Sequence, residues 1–259
     1  MSLRAMPWDR LLRLFNTAVS RYWGVALVLA GWQLWVTVSG VNVIVMPKPL
    51  DVLGDVVASP GVYLRNGAQT LILAAVGLVL GMALGTFIAV LAWTSRLASG
   101  IVAPLGLVFS SVPVVTLIPV LARLFGYDIK TVVAIVVVIS FLPAFVFTAA
   151  GLKSLPPGSD DLFRVLGASR WRRFAHLVAP SAAPNWMIAL RLAAPPAVLS
   201  AMVAEFLMGA AGLGHMFRAA MANFDTNRAF GTSLVATVVS VICFSLASLA
   251  ERRVNDKWR

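Results

Sequence analysis

The chain has 259 residues, 60% of them hydrophobic and only 12% charged, with 21 basic against 10 acidic side chains and a net charge of +11. A soluble domain carries about twice that share of charge, and a chain this short cannot hide so much apolar surface in one dry core. Composition therefore excludes a soluble enzyme or binding module. Long apolar runs without strand alternation point to an all-α integral membrane protein rather than a barrel.

The basic excess is scattered among apolar runs with no aromatic-basic stripe, so no nucleic-acid partner is expected. Cys243 is the single cysteine and sits in an apolar run, which leaves no disulfide or metal framework. His176 and His215 are isolated, and GLKS at residues 151–154 lacks the spacing of a phosphate-binding loop. No catalytic group and no metal site is expected in this chain.

In chain order, residues 1–21 form a basic segment carrying Arg4, Arg10, Arg13 and Arg21. The apolar run Tyr22–Gly40 follows without a small-residue cleavage site, so it reads as an uncleaved first span. Val41–Asn66 is an outer segment, and its MPKPLDVLGDVV stretch reads as a re-entrant or surface helix. Five further spans are expected at Ala68–Trp93, Ile101–Phe125, Val132–Leu152, Ala183–Met208 and Ala229–Ala250, giving six transmembrane helices in all. Residues 251–259 form a tail.

The spans differ in texture. Gly77, Gly81 and Gly85 make a stripe that admits close approach of a second helix. Pro104, Pro113 and Pro119 fall in the third span, Pro143 in the fourth, and Pro184, Pro195 and Pro196 in the fifth. The sequence predicts these three helices to be broken, and broken helices are tolerated at membrane depth only beside protein or water. They are the candidates for lining a pathway, with Ser110, Ser111, Thr116, Ser140, Phe141, Thr148 and Ser200 as its polar or aromatic wall. The alternative for each hydroxyl is a bond to its own backbone.

Two charges lie inside the fifth span. Arg191 and Glu205 are about 21 Å apart along a helix and cannot pair on one straight helix. Arg191 can snorkel or serve the cytoplasmic side. Glu205 precedes GAAGLG, which contains Gly212 and Gly214; contact with a partner, capping of that turn, or shaping of an outer gate are open to it.

With the N-terminus in the cytoplasm, fourteen basic residues fall on cytoplasmic segments and six on outer ones, Arg191 being the remainder. That asymmetry places both termini inside, together with Lys153–Pro180, KSLPPGSDDLFRVLGASRWRRFAHLVAP. The stretch reads as two short helices. Ser159 is a candidate N-cap, Asp160 and Asp161 suit the first turn, and Gly167 is a stop. Ser169 caps the second helix, which Pro180 ends. An amphipathic loop lying on lipid headgroups is the alternative.

The run from Asp161 through Arg164, Leu166, Gly167, Ala168 and Ser169 to Pro180 resembles the EAA loop of permeases in binding-protein-dependent ABC importers. LGASRW, ALRLA and VAEFLMGAAGLG resemble the subgroup that imports sulfonates, taurine, nitrate and pyrimidine precursors. The resemblance implies a type I importer permease fold, with a permease core of residues 68–250 and a coupling loop at 153–180. It implies two cytoplasmic ATPase subunits carrying ATP and magnesium, a second copy of the chain, and a periplasmic or lipid-anchored binding protein. It places the chain in the bacterial inner membrane. Phe163, Leu166, Trp171 and Phe174 would fill a groove on the ATPase, and the solute would be a small organic anion such as a sulfonate. Nitrate or a pyrimidine precursor is the alternative solute, and an ion-gradient-driven secondary transporter the alternative class. Two departures stand out: the usual Ala-Ala is Leu162-Phe163, a bulkier pair, and the usual Leu-Pro is Ala179-Pro180.

Overall fold

The computed structural model describes residues 7–94 and 114–257, with side chains described for residues 23–94 and 116–256 apart from Asp160. All regular structure among the described residues is helical: α1 (Pro7–Ser39), α2 (Pro49–Ala58), α3 (Pro60–Thr94), α4 (Val114–Phe125), α5 (Ile129–Gly151), α6 (Ser159–Val165), α7 (Arg170–Arg173), α8 (Ala179–Met208), α9 (Leu213–Ala222) and α10 (Thr226–Lys257). By length and composition, four helical stretches are able to cross a membrane: Pro60–Thr94, Ile129–Gly151, Arg170–Met208 and Thr226–Asp256. Two shorter apolar helices, Trp23–Ser39 and Thr116–Phe125, fall at the first and third expected spans, and residues 101–113 of the third lie outside the described residues.

The chain divides into two compact units, residues 1–59 with 220–231, and residues 60–219 with 232–259. In the first, the Gln33 side-chain carbonyl accepts from the Leu50 N–H (3.2 Å). Trp32 lies against Phe230 with ring centroids 5.7 Å apart. Arg228 grips Asp55 through both Nε (3.3 Å) and Nη2 (2.9 Å), the forked geometry that suits a guanidinium and a carboxylate. The helix expected within Val41–Asn66 is α2, begun by Pro49 in its first turn, where the missing N–H costs nothing.

In the second unit the glycine stripe does what small residues do between membrane helices. A Cβ on Gly77 would stand 2.5 Å from Val136 Cβ, on Gly81 2.7 Å from Ser140 Cβ, and on Gly85 2.6 Å from Ala144 Cβ. α3 thus lies backbone to backbone on α5. α8 joins them through alanines: Ala189, Ala193, Ala197, Ala201 and Ala204 are all buried, so no long side chain holds the helices apart.

Two expectations are corrected. The prolines do not break the described helices, since Pro143 lies inside a continuous α5 and Pro184, Pro195 and Pro196 inside a continuous α8. Pro180 does not end the helix begun at Ser169 either. A π turn at Phe174–Val178 carries α7 straight into α8, and the Ala179 N–H reaches back to the Phe174 carbonyl. The widened turn takes up the register change, and Pro180 then sits at the start of α8, where a proline fits.

Candidate functional site: a two-helix knob, a buried carboxylate latch and two apolar cavities

The knob is built from local rules. α6 starts after Gly158, whose φ is +73°, so Ser159 is the first helical residue and not the cap. Its hydroxyl instead donates back to the Pro156 carbonyl at 2.6 Å. α6 stops as Gly167 turns left-handed at φ +63°. The Gly167 N–H then bonds the Arg164 carbonyl (3.1 Å) and the Ala168 N–H the Phe163 carbonyl (3.0 Å), which is the paired bonding of a Schellman stop. No atom stands within 4 Å of a Cβ placed on Gly167, so its constraint is conformational, not steric. Ser169 caps α7 by accepting from the Arg172 N–H at 3.3 Å.

The knob's outer face is apolar. Leu162 is 56% exposed, Val165 85%, Leu166 70% and Trp171 75%. Asp161, Arg164 and Arg170 are exposed beside them, and Ala168 is half-buried. Phe163 and Phe174 are half-buried, and Pro180 is half-buried at the root of α8. The Asp160 side chain lies outside the described residues. Trp171 stacks on Phe174 (centroids 5.6 Å apart), and Phe174 meets Trp93 near the end of α3 (5.2 Å). Ala89, Phe145, Leu152 and Val178 complete that cluster. The knob is therefore tied to two long helices: to α8 by continuous backbone and to α3 by an aromatic ladder.

At the other end of α8, Glu205 is fully buried, at 0% exposure. Its Oε2 accepts from the Thr70 hydroxyl (2.8 Å) and from the Gly214 N–H (3.0 Å). Thr70 Oγ1 accepts in turn from the Leu213 N–H (2.8 Å). The first two N–H groups of α9 are satisfied in this way, and a carboxylate sits where the helix dipole favours it. Gly212, at φ +145°, leaves room for the carboxylate, because a Cβ there would overlap it; a Cβ on Gly214 would collide with the Met202 carbonyl. Of the roles open to Glu205, capping of the turn is the one the geometry displays.

Arg191 makes an ion pair with Glu251 of α10 at 3.0 Å, with Phe244 beneath its guanidinium at 6.0 Å. Among the expected pathway residues, Ser140 is packed against Gly81, Phe141 stacks on Phe145 at 6.0 Å, and Thr148 is buried. Thr116 is exposed on α4, while Ser110 and Ser111 lie outside the described residues. Among the described ones, Ser200 alone borders either of two cavities. It donates to the Pro196 carbonyl (2.6 Å) beside a cavity of about 240 Å³ lined by Ile118, Ile135, Ile139, Leu199 and Val203. A larger cavity of about 560 Å³ lies between α3 and α8, walled by Leu78, Met82, Thr86, Phe87, Trp186 and Leu190. There the Trp186 indole N–H donates to Thr86 Oγ1 at 2.9 Å.

Sequence reasoning missed Thr70, Trp93, Val165 and Thr86. Each acts through a partner remote in sequence or through exposure, and neither is written in local spacing.

This is the architecture of an all-helical, multi-pass membrane protein. Residues 63–259 match the family described as binding-protein-dependent transport system inner membrane component, and the chain belongs to that family. It is 30% identical over 215 residues to the formylaminopyrimidine transport permease protein ThiX of Halalkalibacterium halodurans, covering 83% of this chain and 86% of that one. It is 26% identical to an aliphatic sulfonates transport permease protein, SsuC, of Bacillus subtilis (90% and 85% covered). To the riboflavin transport system permease protein RibX of Chloroflexus aurantiacus it is 29% identical (87% and 85% covered). The fold is shared with the MetNI methionine ABC transporter in an inward-facing conformation, at TM-score 0.64 and 17% identity over 74% of this chain and 96% of that one. The chain is a multi-pass ABC importer permease, a non-catalytic membrane component.

Proposed function

We propose that this chain forms the translocation path of an ATP-driven importer in the bacterial inner membrane, with both termini cytoplasmic. Two copies enclose the path, two ATPase subunits carrying ATP and magnesium sit below, and a binding protein delivers a small organic solute from outside. The observation that carries this reading is the knob. It presents Leu162, Val165, Leu166 and Trp171 to solvent, where an apolar face has no internal use. It is rigidly joined to α3 and α8, so a push on the knob reaches the helices that wall both cavities. Closure of the ATPase dimer would move the knob and rock those helices between inward and outward openings.

The sulfonate expected from the sequence stands beside two other candidates, since relatives of similar distance are named for formylaminopyrimidine and riboflavin. The class is tested without knowing the solute. Purified alone, the chain should hydrolyse no ATP; with its ATPase it should form a stable complex whose hydrolysis responds to the loaded binding protein. Gly167→Val should keep the complex's hydrolysis but lose that response. Robust hydrolysis by the chain alone, or an unaltered response in Gly167→Val, would sink the proposal.

A further inference from the structure

We infer that the solute crosses without net charge, as a planar heteroaromatic molecule whose ring is received between α3 and α8 against Trp186 and Thr86; this rests on the permease reading above. The first ground is electrostatic. Residues 68–95, 97–122, 131–152 and 229–250 contain no Asp, Glu, Lys, Arg or His. The fifth span holds Arg191 and Glu205 alone. Arg191 is committed to Glu251, and Glu205 to Thr70 and Gly214. The N-terminus of α9, which would otherwise favour an anion, is already filled by the Glu205 carboxylate. The single cation in these spans, Arg191, is already charge-paired with Glu251, so a sulfonate or nitrate leaving water would meet no unpaired positive charge there, and an uncompensated anion is strongly disfavoured. A neutral solute needs none.

The second ground is the shape and chemistry of the cavity. Its volume of about 560 Å³ lies in the range that holds a one- or two-ring ligand. Its wall is apolar and polarisable, with Met82, Phe87 and Trp186 offering flat or deformable surfaces. Its polar feature is a single pair. The Trp186 N–H is spent on Thr86 Oγ1, which fixes the indole plane and leaves the threonine hydroxyl proton to reach a ring nitrogen or carbonyl. Stacking with one hydrogen bond is the recognition a heteroaromatic ring requires, and it offers an aliphatic sulfonate nothing. A neutral ring is thus favoured over the organic anion expected from the sequence.

The test is equilibrium binding to the permease–ATPase complex in lipid nanodiscs, without the binding protein, so that the membrane path alone is read. The probes are radiolabelled 4-amino-2-methylpyrimidine and ethanesulfonate. Saturable pyrimidine binding is expected, with no competition from excess ethanesulfonate. Trp186→Ala should weaken it roughly tenfold, Trp186→Phe should restore most of it, and Thr86→Val should weaken it by about the same factor. Absent pyrimidine binding, ethanesulfonate binding of equal strength, or pyrimidine binding indifferent to Trp186→Ala and Thr86→Val would each overturn the inference. ATP hydrolysis by the same nanodiscs keeps the two claims apart. Intact coupled hydrolysis with failed binding removes the solute assignment alone, whereas failure to hold the ATPase removes the permease reading.

Discussion

Phe174 lies against Trp93 with ring centroids 5.2 Å apart, joining the root of the knob to the C-terminal end of α3. Trp171 extends the stack to the knob's exposed face. The pair is a side-chain link between the proposed docking surface and a helix that walls the larger cavity. Phe174→Ala and Trp93→Ala should each lower the solute moved per ATP hydrolysed. Their double mutant should cost less than the sum of the singles, by about 0.5–1.5 kcal/mol in coupling energy. A thermal-unfolding double-mutant cycle on the purified complex, with transport stoichiometry beside it, checks both.

The contact between α3 and α5 sets a second expectation. A Cβ at Gly81 would stand 2.7 Å from both Ser140 Cβ and the Val137 carbonyl oxygen, and the backbone cannot swing aside as a side chain can. Gly81→Ala should destabilise the protein by about 1–3 kcal/mol, and Gly81→Leu should abolish the folded protein. Gly54, which has no atom within 4 Å of its would-be Cβ, should accept alanine with little change. Melting of the detergent-solubilised chain reads all three.

The Glu205 latch predicts a graded series. Glu205→Ala leaves the Gly214 N–H without its acceptor in a buried site and the Thr70 hydroxyl with only the Asn66 carbonyl (3.2 Å), which costs about 1–3 kcal/mol. Glu205→Gln keeps an acceptor of the same shape and should cost less. Thr70→Val should resemble Glu205→Ala, because the Leu213 N–H also loses its partner. Limited proteolysis at the 209–214 turn should quicken least in Glu205→Gln and more, to a similar extent, in Glu205→Ala and Thr70→Val.

Arg191 and Glu251 should behave as a pair. Removing one partner of a buried ion pair costs about 3–5 kcal/mol, and less here because a third of the Arg191 side chain is exposed. Arg191→Met and Glu251→Gln should each lower stability, while the exchange Arg191→Glu with Glu251→Arg should recover part of the loss. A lack of recovery in the melting temperature would show that the two charges act separately.

How far the sequence foretold this can be read from single residues. The Gly167 stop and the Ser169 cap were legible, because both are local backbone problems with few chemical solutions. The Gly77–Gly81–Gly85 contact was legible as a stripe, although its partner helix was not. Pro180 misled because a proline's missing N–H is read as a stop, whereas a π turn just ahead of it keeps the helix going. Ser159 misled because its hydroxyl donates backward to Pro156 and does not cap forward. Phe163 and Phe174 were expected on the docking face; both are half-buried, Phe174 against Trp93, while Leu162 and Val165 stand further into solvent. Thr70 gave no signal, since its partner Glu205 stands 135 residues away and only the tertiary fold unites them.

The claim that matters most is that the face of Leu162, Val165, Leu166 and Trp171 docks on a cytoplasmic ATPase. Val165, 85% exposed and far from the fold's own contacts, reports it most directly. In a Cys243→Ser background, Val165→Cys should react quickly with a maleimide added to inside-out membrane vesicles that lack the ATPase. Co-expression of the ATPase should slow that reaction by roughly tenfold or more, as burial in a docking groove implies, and a short bifunctional reagent should link the two chains. Equal labelling with and without the bound ATPase, or labelling confined to the outer side of the membrane, would contradict the account.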